Sequence, residues 1–233
     1  MKVAIHQPQF FPYPGFFHKL SAADAFVIMD DVQYDKRFTN RNKILAPQGP
    51  MWLTVPIDKA DKFSSNMTVE VNNAVPWRDE HWKKLTYSYK NSAFFPLYRE
   101  YFEDLYRREH SLLFDLDLET TKAVMKWLDL DIPVVRESEL GVTGEGTGRL
   151  VNVCRAMGAD TYVSGAGGKN YMDEGLFRDN GVTLQYQKYE PTPYPQRFVS
   201  EFVPNLSILD MLFNIGPESR RLVGRPAQAE LVK

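Results

Sequence analysis

Lys2-Val3-Ala4-Ile5-His6-Gln7-Pro8-Gln9-Phe10-Phe11-Pro12-Tyr13-Pro14-Gly15-Phe16-Phe17-His18-Lys19 is the stretch that decides the fold. Val3-Ala4-Ile5 is a short apolar run suited to a buried strand. Pro8, Pro12 and Pro14 have no amide hydrogen for a ladder and restrict the residue before each, so the strand cannot continue past Gln7. The chain restarts as a helix around Gly15. A strand, a proline turn and a helix form the opening unit of a parallel α/β sheet. In such sheets ligands collect outside the carboxyl ends of the strands, and the following helix offers free N–H groups to an anion. Function is expected at this break, where Gly15 lets backbone approach a ligand closely.

Ala25 to Met29 reads as a second buried strand, ending at Asp30-Asp31. Adjacent side chains on a strand point to opposite faces, so one of the two carboxylates is expected to face the cleft; the alternative is that Asp30 or Asp31 caps the next turn instead of contacting a ligand. Lys36 to Lys43 mixes four cations with amides and has no apolar face. It reads as a polar loop in which Arg41, Asn42 and Lys43 hold an anionic substrate. The alternation in Trp52–Ile57 and Met67–Val71 predicts a β-hairpin inserted over 51–71. A helical segment over 77–128 follows, with helices at Trp77–Tyr89, Leu97–Arg108 and Ser111–Leu128. Its aromatics recur at three- and four-residue spacing, as core residues do.

Pro133-Val134-Val135 resembles another strand, and Gly141 to Gly148 is glycine-rich before a helix that runs to Met157 and is closed by Gly158. Thr161-Tyr162-Val163 then stops at Ser164-Gly165-Ala166-Gly167-Gly168-Lys169. This turn lacks the spacing and the following Ser/Thr of a P-loop. Its glycines can still form an anion-binding nest, with Ser164, Gly165, Gly167, Gly168 and Lys169 as the phosphate-binding set. Leu184 to Tyr189 alternates as a strand, and Leu206 to Asn214 is an apolar helix capped by Ser207. With no repeat or linker, residues 1–233 are read as a single α/β domain.

The 233 residues carry 28 basic and 30 acidic side chains, so a net charge of −2 gives no electrostatic case for nucleic acid. No apolar stretch approaches the roughly twenty residues of a membrane span. One cysteine, Cys154, excludes an intramolecular disulfide and sits where its neighbours form a helical core face. The amino end lacks the basic and apolar regions of a signal peptide, and the cytoplasm is the expected compartment. The four histidines are scattered, giving no metal signature, and Ser164 lacks the glycine two places earlier that a nucleophile elbow requires.

His6-Gln7-Pro8-x-x-x-Pro12-x-x-Gly15-x-x-x-Lys19, Asp30-Asp31-Val32-Gln33 and Asn40-Arg41-Asn42 resemble the WbqC-like family. The resemblance returns at Tyr162 to Tyr171 and at Leu206 to Asn214. It implies kinship with products of bacterial surface-polysaccharide (O-antigen) gene clusters, particularly those with N-acylated amino sugars. The Rossmann-like order also resembles the HIGH-type nucleotidyltransferase and ligase superfamily, to which pantothenate synthetase belongs. Tyr13 and Phe16, however, stand where that superfamily has paired histidines. The resulting expectation is an enzyme that forms an amide on a nucleotide-linked amino sugar, using ATP or an activated acyl donor. His6 and Asp31 are its catalytic candidates; Gln7, Gly15, Lys19, Asp30, Arg41, Asn42 and Lys43 would bind substrate. A non-catalytic sugar-nucleotide-binding protein and a nucleotidyltransferase acting on a sugar phosphate are the alternatives.

Overall fold

The computed structural model describes residues 1–59 and 64–224. Its strands are β1 (Lys2–His6), β2 (Ala25–Ile28), β3 (Arg41–Ala46), β4 (Gly49–Thr54), β5 (Val134–Arg136), β6 (Thr161–Ser164) and β7 (Thr183–Tyr186). The helices are α1 (Pro14–Ser21), α2 (Trp77–Tyr89), α3 (Phe95–Arg107), α4 (Leu113–Trp127), α5 (Gly146–Ala156), α6 (Glu174–Asp179), α7 (Ile208–Ile215) and α8 (Ser219–Val223). Five strands form a parallel sheet in the order β5-β2-β1-β6-β7. The chain winds outward from β1 through β2 to β5, then returns to the other side of β1 for β6 and β7. The fold is therefore α/β with a mainly parallel, doubly wound sheet, and its topological switch point lies between β1 and β6.

Side chains alternate across the strands and divide the core in two. Val3, Ile5, Val27 and Tyr162 face α5 and α6, where Leu150, Val153, Cys154 and Phe177 are buried. Ala4, Phe26, Ile28 and Val163 face the other layer, built from α1, α2, α3, α4 and α7. Strands covered on both faces must be apolar throughout, which is why Val3-Ala4-Ile5 and Ala25 to Ile28 read as unbroken runs.

An antiparallel hairpin is inserted after β2, in a different register from the 51–71 expectation. Arg41 pairs opposite Thr54 and Ala46 opposite Gly49. Trp52 to Thr54 thus belong to its second strand, and Arg41 to Lys43, expected in a polar loop, belong to its first. Asn66–Thr68 form a 3₁₀ turn, and the antiparallel contact expected between the two alternating runs is reduced to a single bridge of Ile57 with Val71. Residues 60–63 of the expected hairpin, Asp61 among them, lie outside the described residues, as does the chain after Gly224.

The hairpin and α7 together clamp the turn after β1. Phe11 has φ of 39°, a region that L-residues avoid, and its carbonyl accepts from Asn42 Nδ2 at 2.8 Å and Ser207 Oγ at 2.9 Å. Phe10 N donates to the Thr39 carbonyl at 3.0 Å and Ile208 N to the Pro12 carbonyl at 2.9 Å. Ser207 also caps α7, its Oγ accepting from Leu209 N at 3.3 Å. The proline turn is held in place by residues about 30 and 200 positions further along.

Candidate functional site

A cleft of about 780 Å³ opens at the carboxyl ends of β1 and β6, at the switch point. β1 contributes His6 and Gln7, and β6 the turn from Ser164 to Gly168. Tyr13, Tyr171 and Tyr189 supply aromatic walls, with Tyr171 72 % exposed at the lip.

His6 is partly buried, its ring edge-on to Phe16 at 5.0 Å. Its Nδ1 lies 2.9 Å from the Gln7 carbonyl, which can only accept, so Nδ1 carries the proton and Nε2 keeps a free lone pair. Burial, and then the Lys19 ammonium, pull the His6 pKa down to about 3. The ring is neutral at physiological pH: an acceptor, and a weak base.

Lys19 occupies the gap where β1 and β6 part. The ladder between them ends at Ala4 opposite Val163, and the next carbonyl, Ile5, accepts from Lys19 Nζ at 3.0 Å. The lysine is 2 % exposed, and no carboxylate among the described residues is paired with it. Burial lowers its pKa to about 7. The sequence signal was a lone lysine among Phe16, Phe17 and Leu20 on a helix buried almost all round.

Gly15 is required by packing. A Cβ there would meet the Tyr13 ring and lie 2.6 Å from Tyr189 Cδ1, while its carbonyl accepts from Gln187 Nε2 at 2.7 Å. Gln187 Nε2 also reaches His18 Nδ1 at 2.8 Å, fixing the start of the extended 187–205 segment over α1. Gly168 is similar, because a Cβ would press on Ser164 Oγ and on Met172 Cε at 2.9 Å. Gly168 N closes the turn on the Gly165 carbonyl at 3.0 Å.

The remaining expected residues are placed elsewhere. Asp30 is fully buried outside the cleft and accepts from Arg136 Nε at 2.8 Å, Ser138 N at 2.9 Å and Ser138 Oγ at 2.7 Å. Those donors hold its carboxyl below the usual range against the cost of burial, so it ties the end of β2 to β5. Asp31 is exposed, 3.6 Å from Arg149, in a second cavity of about 930 Å³ that shares Gln7 and Asp35 with the cleft. Arg41 and Lys43 lie over the Trp52 ring at 4.6 and 4.8 Å, outside the main cleft. Asn42 is the clamp on Phe11. Lys169 points onto the Tyr186 ring at 5.1 Å and does not line the cleft. From the basic loop the cleft receives Arg37, held by Asp35 through Nη2 at 2.6 Å, with Phe38 and Thr39. The tyrosine walls and Gln187 were missed by the sequence reading, since an aromatic in a loop carries no periodic signal. Among the described residues there is no group of three or more His, Cys, Asp or Glu side chains suited to a metal ion.

A profile of the WbqC-like protein family matches residues 7–222, which span both halves of the cleft. The chain belongs to that family. It is also similar to the "Uncharacterized protein Rv1507c" of Mycobacterium tuberculosis (strain ATCC 25618 / H37Rv), at 31 % identity over 220 residues, 94 % of this chain and 95 % of that one. No solved structure matches the chain. The matched segment begins at Gln7, directly after β1, and runs through the turn, the hairpin, β6 and α7 that surround the cleft. No helix among the described residues is long and apolar enough to cross a membrane.

Proposed function

We propose that this protein forms an amide on a nucleotide-linked amino sugar in surface-polysaccharide biosynthesis, taking the acyl group from an activated carboxylate. The observation that carries this reading is the meeting, at one switch-point cleft, of a neutral histidine, a buried lysine without a counter-ion and a glycine-rich turn. The neighbouring cavity, joined through Gln7 and Asp35, offers room for a second substrate.

The sugar ammonium first loses one proton to solvent; the free amine nitrogen then attacks the acyl carbon, the bond from that carbon to its phosphate or thiolate leaving group breaks, and the second nitrogen proton leaves to the departing group or to solvent. His6 Nε2, as a free acceptor, is placed to orient the amine. A group titrating near 3 is a poor sink for an ammonium proton, which favours an orienting over a general-base role. The same observation supports a second reading, a non-catalytic sugar-nucleotide-binding protein working beside a transferase.

The deciding experiment incubates the purified protein with a nucleotide-linked amino sugar, with ATP plus amino acids in one series and acyl-CoA in another. Mass spectrometry should find an acylated sugar nucleotide. Absence of product in both series, with retained ligand binding, would favour the binding protein.

A further inference from the structure

Lys19 is a buried amine that the fold does not neutralise. An ammonium has three donors. One is satisfied by the Ile5 carbonyl, and the side chain lines the floor of the cleft. The titratable and charged groups that share the cleft lining with it, or lie on elements packed against α1, leave its charge open. His6 on β1 is neutral and its proton is committed to Gln7. Tyr162 on β6, Tyr13 at the start of α1 and Tyr189 beyond β7 are phenols whose burial raises their pKa. Asp35 at the rim is held by Arg37, and His18 on α1 is held by Gln187. On α8, packed against α1, Arg220 pairs with Asp129 and Arg221 with Glu218. A buried charge without a partner is costly, and an oxyanion entering the cleft would supply one.

We propose that the cleft floor is a proton-coupled oxyanion site, in which Lys19 Nζ gains a proton from solvent as it takes up a phosphoryl group of the ligand. The volume of about 780 Å³ and the walls of Tyr13, Tyr171 and Tyr189 suit a nucleoside diphosphate, with the exposed Tyr171 ring at the lip placed to pack on its sugar or base. Lowering of the free amine's pKa to about 7 sets the sense of the coupling. Above that pH the empty site is largely neutral and must be protonated on binding, so affinity falls as pH rises until the raised pKa of the bound state is passed. Below it the amine is already charged, and affinity levels off. The proposal shares with the functional reading only the premise that this cleft holds the ligand.

The test is isothermal titration of the full chain with UDP at pH 8 in Tris and in HEPES, buffers of different ionisation enthalpy, with pyrophosphate in a second series. The wild type should take up roughly 0.9 proton per ligand, the fraction of an amine titrating near 7 that is neutral at that pH. Lys19→Arg, permanently charged, should bind with uptake near zero. Lys19→Met should bind at least about tenfold more weakly, as loss of a hydrogen bond to a charged group implies. Tighter binding of UDP than of pyrophosphate assigns the anion to a nucleotide, and equal affinity to a free phosphate; both support the site. Binding without proton uptake, unchanged affinity in Lys19→Met, or no binding of either ligand up to about 1 mM overturns it. None of these readouts needs turnover, so proton-coupled binding without an acylated product would sink the functional reading alone.

Discussion

Replacing Asp30 by Ala separates a structural carboxylate from a substrate-binding one. The side chain is fully buried and accepts three hydrogen bonds, from Arg136 Nε, Ser138 N and Ser138 Oγ. Each bond to a charged group is worth about 1.5–3 kcal/mol, so simple addition gives roughly 5–9 kcal/mol. That sum overstates the loss, because the bonds share one carboxylate and the Arg136 side chain is 35 % exposed, stacked on Phe114, where water can reach it. Ser138 keeps no comparable substitute acceptor, and removing one partner of a buried pair costs about 3–5 kcal/mol. Discounting for the accessible arginine leaves about 3 kcal/mol. Urea unfolding at pH 7 should show that loss in the midpoint with an unchanged slope. The Asp30 pKa is lowered on folding, so its stabilisation is fully present above the unfolded value near 4 and is lost as pH falls through the folded one. The difference between wild type and variant should accordingly shrink below about pH 4. UDP affinity of the folded variant should be unchanged. A loss under about 1 kcal/mol, or intact stability with lost ligand binding, would refute the assignment.

Three further outcomes are expected. His6→Gln keeps an acceptor and should retain turnover within about tenfold, whereas His6→Leu should lose about 10²-fold through misplacement of the amine; equal losses of 10²-fold or more in the acylation assay would make the ring a proton acceptor after all. Gly15→Ala should destabilise by about 1–2 kcal/mol, overpacking against Tyr13 and Tyr189 outweighing the gain in helix propensity, and should weaken UDP binding as the walls shift. Asp117 is fully buried with neither carboxyl oxygen hydrogen-bonded among the described residues, and burial raises its pKa well above the ordinary value. A raised acid favours folding below its unfolded pKa and loses that contribution as pH rises towards the raised folded value, so Asp117→Asn should gain stability relative to wild type as pH rises above about 4. A pH-independent difference in urea unfolding would refute the last of these.

The parallel sheet was legible because both-face burial leaves an unbroken apolar run, and the proline turn because proline acts through local stereochemistry. The hairpin was displaced because Asn42 fills an inward position of β3 as the Phe11 clamp, so that Arg41-Asn42-Lys43 reads as polar throughout although it alternates. Val69 and Val71 alternate as a strand does but are buried beside a 3₁₀ turn, with only isolated bridges for pairing. The cleft brings together His6, Gln7 and the 164–168 turn because all of them follow strand ends at the switch point, a position that sequence order alone reveals in this fold class. Asp30 and Lys169 lie off the cleft lining, because a polar residue type does not say whether an internal partner is waiting: Arg136 and Ser138 for the one, the Tyr186 ring for the other.

The clamp on Phe11 also bears on the protein's synthesis. Its two anchors, Asn42 and Ser207, must both arrive before the turn with its left-handed Phe11 is secured, and the second is 196 residues away. At about 5–20 residues per second, β1 emerges from the ribosome roughly 10–40 s before the residue that fixes the turn beyond it. The switch-point cleft is thus absent from the nascent chain. A chain stopped short of α7 would keep sheet-forming strands but leave Phe11 without its Ser207 bond, so ligand capacity should appear only as the carboxyl-terminal segment docks, by a contact of the slowest class to close.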